Sequence, residues 1–238
     1  MEQKTKSIKK TARIAGILTL LIVVLAPFSM IYVPTTLVVP GDAAATANHI
    51  MASEGLFRLG MVSDSLVFLI ESVLTILLYV LIKPVSKTLS LVAAFSRLAM
   101  AGIQGINLLN HFFVLLLLSG AGYLKVFMPD QLYALVMLFL NAHETVVLIW
   151  GLFFALHLLT FGYLVYKSGY LPKFLGILLL IVAFCYLFQD FGNMLFPQYK
   201  ALFTSIGSLA FLEIAFPLWL LIKGVNVEQW QKRVSESE

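Results

Sequence analysis

GLFFALHLLTFGYLVYKSGYLPKFLG, residues 151–176, is an apolar run, a short basic turn and the start of a second apolar run. The first run extends back to Leu132 and the second forward to Phe196. Each is long enough for a membrane, since an α-helix crosses about 30 Å of hydrocarbon with about 20 apolar residues. The turn YKSGYLPK is so tight that the two helices must be antiparallel neighbours. Gly169 permits the reversal, Pro172 opens the next helix, and Lys167 and Lys173 hold the turn at the membrane surface. The stretch therefore reads as a transmembrane helical hairpin.

The same reading extends over the chain. Six segments qualify as spans: Ile14–Val39, Phe57–Ile82, Leu89–Leu118, Leu132–Tyr166, Phe174–Phe196 and Ala201–Ile222. The fourth is longer than one crossing needs, so its first part reads as an interfacial turn, with the true span starting near Asn141. The runs are continuous, whereas a membrane β-barrel alternates apolar and polar residues over segments of about ten. Of 238 residues 61% are hydrophobic and 12% charged, against about 45–50% and about 25% in soluble domains. The expected fold is an all-α, polytopic six-helix transmembrane bundle. It divides into a basic N-terminal segment 1–13, one membrane domain 14–223 and a short polar tail 224–238, amphipathic or frayed.

Lysine and arginine set the orientation. With the N-terminus inside, the cytoplasmic segments hold Lys4, Lys6, Lys9, Lys10, Arg13, Lys83, Lys87, Lys167, Lys173, Lys223, Lys232 and Arg233. The outer segments hold Arg58, Lys125 and Lys200, while Arg97 lies within a span. Twelve against three places both termini in the cytoplasm. The net charge of +4 thus belongs to membrane insertion, and nucleic acid is not an expected partner. The first span could be a cleaved signal. Its apolar stretch, however, is about twice the usual 7–15 residues of a signal core, so a retained helix is expected, kinked or ended by Pro27 and Pro34. The outer connection Pro40–Leu56 carries Asp42, His49 and Glu54, and Ala43–Met51 reads as a short interfacial helix.

Charged groups in a bilayer cost at least about 2.5–3.5 kcal/mol each on insertion scales, so they face the bundle interior and pair. Counting from the cytoplasmic ends puts Glu71, Arg97 and Glu213 at one depth near the midplane. Arg97 is expected to pair with Glu71, Glu213 or both. The cluster is either a structural clasp or part of a proton or ion path, because two acids against one base leave a carboxyl for a proton or cation. A second set lies nearer the outer surface: Asp64, Asn107, Asn110, His111, Asn141, His143, Glu144, Gln189, Asp190 and Asn193. Of these, Asp64, Asn107, His111, His143, Glu144, Gln189, Asp190 and Asn193 define an expected outward-opening polar cavity.

No cofactor is expected. His111, His143, Asp64 and Asp190 have the right chemistry for a metal, but no HxxxH or HExxH places two ligands on one helical turn. His143 and Glu144 point about 100° apart, which follows from 3.6 residues per turn. A haem fits less well, because His157 lies deeper than the other two histidines. There is no GxSxG elbow, P-loop or dinucleotide motif. Gly102, Gly105, Gly207 and Ser208 read as close-packing residues. Cys185 is the single cysteine and has no intramolecular partner.

Several stretches carry a resemblance: FRLG at 57–60, KP at 83–84, the opening 151–176 segment, Glu213, and WLLIKG at 219–224. Together they resemble the bacterial membrane family known as domain of unknown function 4386. The resemblance implies a six-helix bacterial inner-membrane protein and no particular activity. The residues themselves fit best a small transporter, ion conduit or lipid- or ligand-binding membrane protein. A non-catalytic sensor or assembly protein comes next, then a membrane-embedded hydrolase with or without metal. Expected partners are membrane lipids and a small-molecule or lipid ligand.

Overall fold

A computed structural model describes residues 2–237, with side chains from Ser7 onward. Lys4 and Lys6, two of the inner charges counted above, lie outside the described side chains. Among the described residues there is no strand. The helices are α1 (Glu2–Pro27), α2 (Val33–Leu37), α3 (Ala43–Ala52), α4 (Glu54–Ile82), α5 (Lys87–Leu117), α6 (Pro129–Ser168), α7 (Lys173–Leu195), α8 (Lys200–Gly207), α9 (Ala215–Ile222) and α10 (Val227–Ser237). Six stretches are long and apolar enough to cross a membrane: Ser7–Leu37, Glu54–Ile82, Lys87–Leu117, Pro129–Ser168, Lys173–Leu195 and Pro197–Ile222. Their outward faces are apolar too, with Val24, Phe95, Ile106 and Phe211 66–70% exposed. Such faces are a liability in water and the normal condition in lipid. The expected all-α six-span architecture is thus the one observed, and α3 forms where the short connecting helix was expected.

Three spans depart from a plain rod. The first runs through Pro27 instead of ending there. It widens into a π turn at Phe28–Tyr32 and continues as α2, with Pro34 in that helix's first turn. The widened turn absorbs the ring clash of a helical proline. Hydroxyl groups satisfy the backbone beside it: Ser63 Oγ donates to the Leu25 carbonyl at 2.9 Å, and Ser29 Oγ to Ala26 at 3.2 Å.

The fourth span corrects the expected break near Asn141. α6 is one helix of 40 residues, or about 60 Å at about 1.5 Å per residue, twice the hydrocarbon thickness. It contains no proline after its first residue and no glycine before Gly151, so nothing interrupts its hydrogen bonds.

The sixth span is interrupted. Lys200–Gly207 is α-helical, Ser208–Ile214 tightens to a 3-10 helix, and Ala215–Ile222 returns to α. Pro217 has no N–H to give to the carbonyl four residues back, which is that of Glu213. The break therefore falls at the residue that carries the carboxylate.

The chain forms two compact units. The larger comprises Met1–Ile22, Ile70–Ala101 and Leu148–Glu238, the smaller Val23–Leu69 and Gly102–Val147. The larger unit buries residues such as Leu74, Leu81, Met100, Phe161, Leu175 and Leu220. Its helices come close at glycines: a Cβ on Gly16 of α1 would lie 2.8 Å from the Pro217 carbonyl of α9. The opening motif finds its explanation here. Gly169 has φ +76°, a value that glycine adopts without strain. Tyr170, buried, donates its hydroxyl to the Leu81 carbonyl at 2.8 Å. Trp230 of α10 donates to the same carbonyl at 3.1 Å, and Asn226 N–H bonds the Tyr170 carbonyl at 3.1 Å. Two side chains thus satisfy an orphan carbonyl at the C-terminal end of α4. They also dock the polar tail, which is a helix and not a frayed end. The smaller unit packs Val33, Ile50, Phe57, Met61, Val114 and Val136. Asp42 caps its α3, accepting Ala45 N–H at 2.8 Å.

Candidate functional site

In the larger unit α4 supplies Glu71, α5 Arg97, α6 His157, α7 Tyr186 and the 3-10 stretch Glu213. Arg97 Nε lies 2.6 Å from Glu71 Oε2. Both residues are buried, 6% and 5% exposed. Arg97 Nη1 is 2.9 Å from His157 Nε2, and His157 Nδ1 is 2.9 Å from the Ala93 carbonyl. A guanidinium can only donate. Nε2 must therefore accept, and Nδ1–H donates to Ala93, one turn before Arg97 on α5. This assigns a neutral imidazole in one tautomer, tied to α5 by both ring nitrogens. Phe154 and Phe161 stack on either side of His157 at 6.1 and 5.3 Å between centroids. The guanidinium also sits 5.8 Å from the Phe154 ring centre, a cation–π contact.

Glu213 is half-buried on the interrupted span. It is within electrostatic reach of Arg97 and Glu71, yet it makes no ion pair among the described residues. Of the two acids expected near Arg97, Glu71 makes the direct contact. Tyr186 lies within reach of Glu71, Glu213 and Asp190, and its ring packs edge-on against Trp150 and Phe154. His157 and Tyr186 were not assigned to the cluster from sequence. The signal was the spacing of Trp150, Phe154, His157 and Phe161, which places four rings on one helical face.

The expected polar cavity residues divide between the units. Asp64, Asn107, His111, His143 and Glu144 belong to the smaller unit, and Gln189, Asp190 and Asn193 to the larger. In the smaller unit Gln104 Nε2 donates to both carboxyl oxygens of buried Asp64, at 2.9 and 2.8 Å. Asn110 donates to Asn107 at 2.9 Å, and Asn107 to the His143 carbonyl at 3.1 Å. The His111 and His143 rings stack 3.9 Å apart, with Phe57 edge-on to His111. Glu144 is exposed while His143 is half-buried. A cavity of about 260 Å³ in this unit is lined by Ile50, Met51, Glu54, Arg58, Leu115, Leu118 and Ser119.

In the larger unit Gln189 Nε2 donates to Asp190 Oδ1 at 3.4 Å. An apolar groove of about 670 Å³ runs between α7 and α8, past Phe184, Cys185, Phe188, Phe191 and Phe203. Among the described residues no three His, Cys, Asp or Glu side chains converge as a metal-binding group.

A family model described as "Domain of unknown function (DUF4386)" matches residues 14–224. An uncharacterized protein of Archaeoglobus fulgidus is 29% identical over 165 residues, which is 69% of this chain and 83% of that protein. No solved structure matches the chain.

Proposed function

The chain belongs to the family described as domain of unknown function 4386, and on that premise we propose that it is a small ion-coupled transporter or ion conduit of the cytoplasmic membrane. The family description names no chemistry, so the reading rests on the residues. Glu213 carries it: a carboxyl group with no ion-pair partner among the described residues, on an interrupted span, beside an arginine that Glu71 already neutralises. A clasp needs only one carboxylate. The second leaves negative charge that a proton or small cation offsets. Interrupted spans are where transporters place ion and substrate sites, since unwound backbone can line the site. A 3-10 stretch within a helix is also a natural hinge.

The distribution of lysine and arginine supports insertion with both termini in the cytoplasm, in a bacterial inner membrane or its equivalent. The apolar groove of the larger unit supports membrane lipid or an apolar ligand as its occupant. The test is flux. Purified protein in lipid vesicles with an internal pH dye passes protons or alkali cations down an imposed gradient. Glu213→Gln loses that flux while keeping the wild-type melting curve and elution volume. Wild-type vesicles no leakier than empty ones, or a fully active Glu213→Gln protein, would sink the reading.

A further inference from the structure

Two adjacent polar residues of α7 seat against glycines on different neighbours. The Gln189 amide fills the space that a Cβ on Gly207 of α8 would take, and the Asp190 carboxyl fills the space of a Cβ on Gly151 of α6. Asp190 is 2% exposed. Among the described residues its Oδ1 has only the long bond from Gln189. Its Oδ2, the oxygen pressed on Gly151, has no donor. No ion pair reaches Asp190 among the described residues. A buried carboxylate with one long hydrogen bond and no counter-charge is strongly disfavoured. The carboxyl oxygen itself already fills the notch, which leaves no room there for a water oxygen or a coordinated metal ion beside it. A proton needs no such room.

We propose that Asp190 is a proton-binding site whose occupancy sets the seam between α6 and α7. Neutral, the carboxyl seats in the Gly151 notch and the helices close. Ionised, it needs water or a cation, so it leaves the notch and the seam opens. Oδ2 gains its proton from water admitted to the open seam and returns it to water by the same route. The titratable group within electrostatic reach of Asp190 is Tyr186, on the same helix α7. Tyr186 is also within electrostatic reach of Glu213 and Glu71. This deepens the transport reading, on which its role in coupling rests; the proton site itself stands on the Gly151 contact.

The experiment uses the full chain in lipid nanodiscs. Infrared spectra recorded over a pH series should show the C=O band of a protonated carboxyl that is lost in Asp190→Asn. Hydrogen exchange around Gly151 and Asp190, corrected for its intrinsic pH dependence, should rise with pH in the wild type and stay low in Asp190→Asn. A band unchanged in Asp190→Asn, or exchange that follows the wild type there, overturns the proposal. Gly151→Ala supplies an independent check, since its methyl group evicts the carboxyl. The Asp190 band should then vanish at a pH where the wild type keeps it, and an unaltered titration overturns the proposal as well. The two readings fail separately. Vesicles without flux defeat the transporter and leave the Asp190 site standing; flux with neither band nor seam response defeats the site alone.

Discussion

Gly176 of α7 lies so close to Gly162 of α6 that a Cβ added to it would fall 2.7 Å from the Gly162 carbonyl oxygen. The same atom would lie 2.6 Å from the Tyr166 backbone nitrogen. Both obstacles are backbone and cannot rotate away. Gly176→Ala should therefore force the hairpin apart, at a cost of about 1–3 kcal/mol as for overpacked cores. Gly102→Ala is the control: nothing lies within 4 Å of its Cβ position, and alanine favours helix over glycine by up to about 1 kcal/mol. Thermal unfolding in one detergent should lower the melting point of the first variant and leave or raise that of the second.

The Glu71–Arg97 contact predicts a lopsided mutant cycle. Removing one partner of a buried ion pair leaves the other charge stranded and costs about 3–5 kcal/mol, whereas replacing both by apolar residues is often close to neutral. Glu71→Leu and Arg97→Met should each destabilise strongly, and the double variant should recover much of the loss. Arg97→Met also removes the donor to His157 Nε2, so its single cost should be the larger. Equal, additive losses across the cycle would show that the pair does not interact as described.

The spans were legible because hydropathy needs no knowledge of what faces what. That Arg97 meets an acid at its own depth was legible too, since counting residues from a helix end gives depth, but depth alone left Glu71 and Glu213 both open. Azimuth is the part that depth cannot supply. Glu144 and His143 are neighbours in sequence at one level, yet one is exposed and the other stacks on His111. The break in the sixth span was written as Glu213 followed four residues later by Pro217. Hydropathy averages over that spacing, because a missing N–H does not change how apolar a segment is. The Asp190–Gly151 contact joins residues on different helices and left no local trace, since a glycine notch shows only against its partner.

Tyr170 predicts a pH dependence outside the spans. Burial pushes its phenol above the ordinary tyrosine range, because the anion cannot be solvated there. A group raised in the folded state adds stability that is fully present below its unfolded value, about 10 for tyrosine. That stability is lost as the pH climbs through the folded value. The wild type should thus lose stability steeply in strong alkali. Tyr170→Phe should lose the part of that slope due to this phenol, and one tyrosinate absorbance step should disappear at the alkaline end of the titration. At neutral pH the variant loses one of the two donors to the Leu81 carbonyl, at about 1 kcal/mol. Limited proteolysis should then find the α10 tail more accessible.

Asp64 and Gln104 separate a structural pair from a working one. Gln104 spends one amide nitrogen on both carboxyl oxygens of Asp64, and its own Oε1 is buried without a partner. Asp64→Asn exchanges one carboxyl oxygen for an NH₂ group. Both amides can then turn so that each donates to the other, and the stranded Oε1 gains a donor. Asp64→Asn should therefore fold as well as the wild type or better. Gln104→Leu takes the amide donor from the buried acid and should cost about 1–3 kcal/mol. Melting curves of the two variants check the pair. Flux through vesicles then decides its use: an Asp64→Asn protein that is stable and fully active makes the pair a structural clasp, while one that is stable and inactive adds Asp64 to the ion path.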